Sequence, residues 1–115
     1  MISAAHHLPL TPEGHPCRHP HGHNYEIQIV LVGGDNERGW LMDFYDLDAL
    51  VEPILKEIDH KNLNDVEGLA NPTAEIISRW LFNKIHGALK KTPQNPRLKL
   101  VRVWETPSCW AEFSV

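Results

Sequence analysis

The spacing of apolar and polar positions changes period twice along the chain. Tyr25 to Val32 (YEIQIVLV) is rich in β-branched residues and predicts a strand, bounded by the turn-rich segment GGDNERG. Trp40 to Asp43 predicts a short returning strand. The period then becomes helical: Leu47, Leu50, Val51, Ile54, Leu55 and Ile58 share one stripe. Asp43 or Asp46 can cap that helix, and Pro53 should bend it. After the polar loop DHKNLND, the tripeptide NPT announces a second helix, with Asn71 or Thr73 as cap and Pro72 near the first turn. Its stripe is Ile76, Ile77, Trp80, Leu81, Ile85, Ala88 and Leu89. KKTPQNPR reads as a loop, and Leu98 to Glu105 and Trp110 to Val115 predict two last strands joined through TPSC.

Strand, strand, helix, helix, strand, strand is the order of an α+β domain, an antiparallel sheet with both helices on one face. Two strands are apolar on both sides. Ile27, Ile29 and Leu31 oppose Val30 and Val32, and Leu98 and Leu100 oppose Val101 and Val103. With helices on one face only, the other apolar face needs a partner, so a homo-oligomer is expected.

Composition narrows the class without changing this picture. The 115 residues suit one domain, 42% of them hydrophobic and 23% charged, as in ordinary globular proteins. A net charge of −4 gives no general attraction to nucleic acid or to anionic membranes. No apolar run is long enough to span a membrane, and the start lacks a signal peptide's basic and apolar regions. Cys17 and Cys109 are too few for a disulfide framework, so the expectation is a cytoplasmic protein with free thiols. The histidines do change the picture. There are eight, and five lie between His6 and His21.

The segment HPCRHPHGHNYEI concentrates them. His21 and His23 flank Gly22 at the start of a strand, and residues i and i+2 of a strand point to one face. If ISAAHHLP ends a preceding antiparallel strand, His6 returns beside them. Three neutral imidazoles would then surround a divalent ion, zinc (Zn2+) being the best match, with one position left for water or substrate. His7, His15 and His19 stay outside that shell as solvated loop histidines. Cys17 reads either as a fourth ligand closing a structural site or as a thiol activated by cationic surroundings. Asp59–His60 reads either as a surface dipeptide or as a carboxylate orienting an imidazole for proton transfer. Glu105 is either a solvated strand end or an acceptor for an N–H-rich heterocycle.

The motifs AAHHLP, C-x3-HGH, GWLMDF, DHKNLN, NPTAE and VWETP, in this order, resemble the 6-pyruvoyl-tetrahydropterin synthase superfamily from Ala4 to about Trp110. The three residues between Cys17 and HGH resemble its bacterial 6-carboxy-5,6,7,8-tetrahydropterin synthase branch, of queuosine precursor synthesis. The resemblance implies a tunnelling fold (T-fold), a four-stranded antiparallel sheet with two helices on one face, spanning residues 1–115. It implies assembly into an oligomeric barrel, a hexamer built as a dimer of trimers, with active sites at subunit interfaces. His6, His21 and His23 would be the zinc ligands. Cys17 would be the catalytic base, Asp59 and His60 its partners in proton transfer, and Glu105 the anchor of the pterin ring. The implied reaction takes 7,8-dihydroneopterin triphosphate to 6-carboxytetrahydropterin, acetaldehyde and triphosphate. The pyruvoyl-forming triphosphate lyase and a non-catalytic zinc-binding oligomer are the alternatives. The family's first strand usually starts further upstream; here three residues precede Ala4, so the expectation is either a short strand or a truncated chain start.

Overall fold

The structure is a computed structural model that describes residues 1–33, 37–93 and 96–115. The central parts of GGDNERG and KKTPQNPR lie outside the described residues. Four strands, β1 (Ile2–His6), β2 (His21–Val32), β3 (Arg97–Thr106) and β4 (Cys109–Ser114), form one antiparallel sheet in the order β1-β2-β3-β4. Two helices, α1 (Phe44–Lys56) and α2 (Ala74–Leu89), separate the two strand pairs. The expected α+β architecture is the one observed, with one strand misplaced in the sequence reading.

That strand is Trp40–Asp43. It is not extended sheet; its last residue serves the helix instead. The Asp43 carboxylate accepts the Tyr45 N–H at 2.7 Å and caps α1, while Met42 drops into the core. The fourth strand is β1, whose five residues pair in full register with Asn24, Tyr25 and the HGH segment. α1 continues through Pro53 as one element of 13 residues. Its stripe still faces inward, with Ile54 in the core and Leu47, Leu50 and Leu55 packed against it. Ile58, expected on the same helix, is buried from the turn just past its end. α2 is capped by Thr73, whose hydroxyl accepts the Ile76 N–H, and Pro72 lies just before the cap. α2 lies across β3 and β4, with α1 beside it.

Two bulges in β3 revise the reading of its faces. Val30 pairs with Leu100 but Leu31 pairs with Leu98, so Lys99 is an extra residue on β3. The extra residue turns Leu98 to the same side as Val101 and Val103, and all three are buried in the core. Leu98 therefore does not oppose them, as strict alternation required. The second bulge falls at Glu105: Trp104 pairs with Trp110 and Thr106 with Cys109, leaving Glu105 unpaired. On the face away from the helices stand Glu26, Gln28, Arg102 and Trp104. There Arg102 stacks 4.2 Å over the Trp110 ring and bonds Glu112 at 2.9 Å.

Candidate metal centre

Register alone brings the three imidazoles together. His6 is the last residue of β1 and pairs with His21, while His23 pairs with Ala4 two residues back. All three rings therefore project from the same side of the sheet, at the β1–β2 end. Their centroids lie 4.5, 5.1 and 4.9 Å apart, each pair edge to face. One nitrogen from each ring lies within 4.8 Å of the others. The three histidines are thus placed to bind a metal ion.

The hydrogen bonds decide which nitrogens face inward. His6 Nδ1 lies 2.8 Å from the Pro72 carbonyl, and His21 Nδ1 lies 2.8 Å from the His19 carbonyl. A carbonyl only accepts, so each Nδ1 carries the proton and donates it, leaving the Nε2 lone pair free. The two Nε2 atoms stand 2.9 Å apart. Lone pairs so close repel unless a cation or a proton lies between them. Two nitrogens in a tetrahedral zinc site with bonds of about 2.0–2.1 Å would be ~3.3 Å apart, so the donor set fits such an ion.

Burial disfavours the charged form of His6. The residue is 1% exposed, and burial holds its imidazole below the usual histidine range. The Pro72 bond works in the opposite direction, and His21, His23 and His7 add to the depression. Tyr25 forms the floor, fully buried, with its hydroxyl 3.1 Å from His6 Nδ1 and its ring edge-on to His23. Burial pushes the Tyr25 phenol well above its ordinary value, with the Glu105 carboxylate adding to the effect. Neither Tyr25 nor Pro72 figured in the sequence reading as a site residue. For Tyr25 a signal was present: HGHNY places it at i+4 from His21, on the ligand face. For Pro72 there was none, since a backbone carbonyl leaves no trace in residue type.

The remaining candidates sit around this centre rather than in it. Cys17 is half-buried on a single 3-10 turn, Pro16–Arg18, where its N–H donates to the His15 ring at 3.0 Å and its carbonyl accepts the Leu8 N–H at 2.7 Å. It does not belong to the group of potential ligands. Arg18 donates to the Thr11 carbonyl at 2.8 Å.

Asp59 and His60 are paired, Oδ1 to Nδ1 at 3.0 Å, just beyond α1. The Ser3 N–H bond holds the Asp59 carboxyl below the usual carboxylate range, with the His60 interaction adding to it. His60 has a left-handed backbone, φ 58°, which for a non-glycine residue costs about 1–3 kcal/mol and marks an enforced conformation. The Ser3 carbonyl, accepting the His60 N–H at 2.6 Å, helps enforce it. Among the described residues, no hydrogen bond joins His60 to Cys17. The β3 bulge leaves Glu105 half-buried and electrostatically coupled to Tyr25.

A four-stranded antiparallel sheet flanked by two helices, with a three-histidine group at one end of its first strand pair, defines a T-fold scaffold carrying a metal-ready site. Residues 1–115 match the family described as 6-pyruvoyl tetrahydropterin synthase, and the chain belongs to that family. It is 37% identical over 118 residues to the 6-carboxy-5,6,7,8-tetrahydropterin synthase of Synechocystis, covering 97% of this chain and 86% of that protein. It is 38% identical over 85 residues to the dihydroneopterin monophosphate aldolase of Pyrococcus furiosus, covering 74% of this chain and 69% of the other. The structure of Caenorhabditis elegans 6-pyruvoyl tetrahydropterin synthase superposes with a TM-score of 0.85 at 24% identity, over 99% of this chain and 89% of that one. At that identity the likeness speaks to the fold. No helix among the described residues is long and apolar enough to cross a membrane.

Proposed function

We propose that this chain is a zinc-dependent 6-carboxy-5,6,7,8-tetrahydropterin synthase, converting 7,8-dihydroneopterin triphosphate and water to 6-carboxytetrahydropterin, acetaldehyde and triphosphate in queuosine biosynthesis. The observation that carries the reading is the convergence of His6, His21 and His23, with Nδ1 of His6 and of His21 tied to a carbonyl, inside a chain of this family. Relatives named for this activity, such as the Synechocystis protein, support the choice of branch.

In this reading His6, His21 and His23 would hold zinc, and the ion when bound would supply Lewis-acid polarisation of the substrate's side-chain oxygens. The chain's own residues do the rest. Cys17 Sγ takes a proton from the substrate side chain, and His60, its Nδ1 fixed by Asp59, supplies or shuttles one through Nε2. Glu105 accepts hydrogen bonds from the pterin's amino and ring N–H groups and sets the reacting carbons beside the metal. The β3 bulge leaves Glu105 out of the pairing with β4. In the proposed hexamer of two trimers, a second copy would complete the site around Cys17 and His60. Residues 1–115 would act as one pterin-synthase domain in the cytoplasm, with no nucleic-acid or membrane partner.

The test is to incubate the zinc-loaded protein with dihydroneopterin triphosphate and identify the products. Acetaldehyde with 6-carboxytetrahydropterin supports the proposal. Triphosphate loss without carbon–carbon cleavage would favour the pyruvoyl-forming reaction. Cleavage with the phosphates retained on a two-carbon aldehyde would favour an aldolase, the activity for which the Pyrococcus furiosus relative is named. Zinc binding without turnover would leave a non-catalytic oligomer.

A further inference from the structure

Among the described residues no strand lies along the outer edge of β1, where a single isolated bridge joins Ala5 to Asn62. That edge is covered by the connection between α1 and α2, residues 57–73, which grips it at successive alternate residues. Ser3 N–H donates to Asp59 Oδ1 at 3.0 Å, Ser3 O accepts the His60 N–H, and Ala5 N–H donates to the Lys61 carbonyl at 3.0 Å. At His7, one residue past the metal-facing histidine of β1, the grip changes character. One side chain holds both backbone groups: His7 N–H donates to Asn64 Oδ1 at 2.9 Å, and Asn64 Nδ2 donates to the His7 carbonyl at 2.9 Å.

Asn64 is itself fixed before it does this. It sits on the 3-10 turn Leu63–Asp65, its N–H bonded to the capping Asn62, its other amide hydrogen near the Ala70 carbonyl at 3.3 Å, and its neighbour Leu63 fully buried. Only a carboxamide offers an acceptor and a donor side by side in one plane, matching the two groups of a residue in extended backbone. Aspartate lacks the donor, and serine is too short to span both. The same connection supplies the Pro72 carbonyl that receives His6 Nδ1–H. His6 is therefore held at two points, through its ring and through the backbone that follows it.

We propose that Asn64 is a positioning residue for the metal centre: by bonding both backbone groups of His7 it fixes how the chain leaves β1, and so the angle at which the His6 ring offers Nε2. This rests on the reading that His6, His21 and His23 bind a metal. Outer-shell contacts of this kind change metal affinity by about 10–100-fold when removed.

The experiment measures zinc affinity by competition with a chromophoric chelator for the wild type, Asn64→Ala and Asn64→Asp. The control is a remote core variant, Ile85→Val, or Ile85→Ala if needed to match the thermal midpoint of the metal-free Asn64→Ala protein. The expected result is an affinity loss of about 10–100-fold in both Asn64 variants, with the Ile85 variant binding zinc as the wild type does. Wild-type affinity in the Asn64 variants would overturn the proposal. So would an equal loss in the control, or failure of both Asn64 variants to fold, since either makes Asn64 a general stability residue. If the wild type itself binds no zinc, the metal reading falls, and this inference with it.

Discussion

The ligand histidines and the proton-transfer candidates are held by different kinds of structure. His6, His21 and His23 are ladder residues, each fixed by strand register, and two of the rings are pinned again through Nδ1. Cys17 and His60 lie on turns at the margin, Cys17 half-buried and His60 exposed. Bonds to Leu8 and to Ser3 fix their backbones, while the side-chain bond of His60 is to its neighbour Asp59. A ladder places a ring by two backbone bonds and a rotamer choice, and the result is complete within one chain. A turn places a side chain loosely, where a substrate or a second copy can complete its setting. Metal affinity should therefore be a property of the folded chain, and turnover a property of whatever draws Cys17 and His60 together.

The sharpest way to break the comparison is to remove a ladder ligand. His6→Ala should abolish stoichiometric zinc binding, as read by metal content after dialysis. Full occupancy in that variant would show that register does not create the site. Cys17→Ala should do the reverse, keeping zinc and subunit assembly while turnover falls by the ~10²–10⁴-fold typical of a lost acid or base. Loss of zinc from that variant would make the thiol a ligand and remove the distinction between the two regions.

Glu105 lies between the two kinds, on a strand but at a bulge. Glu105→Ala should weaken pterin binding by about 1.5–3 kcal/mol, the range for hydrogen bonds to a charged group, with zinc content unchanged. Equal pterin affinity in titrations of the two proteins would remove Glu105 from the pocket.

The same contrast governs what the sequence could reveal. Periodicity located both helices, and the i, i+2 spacing of His21 and His23 placed two ligands on one face. Their partner His6 followed from a strand guessed to lie upstream. What escaped were features in which the backbone acts or the alternation breaks. Asp43 was one of the two caps the sequence offered for α1, but that residues 40–43 lie outside the sheet was not legible. The bulge at Lys99 returned Leu98 to the core face. The grip of Asn64 on His7 spans 57 positions and links two polar residues whose types suggested only a loop. The motif DHKNLN was legible as a resemblance; its physical role as the outer wall of β1 was not.

The smallest expected effect concerns Asp59, which belongs to both regions: it bonds the Ser3 N–H on β1 and orients His60 on the turn. The folded protein holds its carboxyl below the value of 3.8 expected for a free side chain. A depressed carboxylate contributes stability above the unfolded value, and that contribution disappears as pH falls through the lower folded value. Asp59→Ala should therefore have a slightly lower thermal midpoint than the wild type at neutral pH, and the gap should close in acid below 3.8. A gap that stays constant across the acid range would mean that the lost contact is packing rather than charge. Zinc affinity, compared at neutral pH, separates the roles further. If Asp59 serves only the turn, affinity is unchanged; if its bond to Ser3 helps seat β1, affinity falls in step with the midpoint.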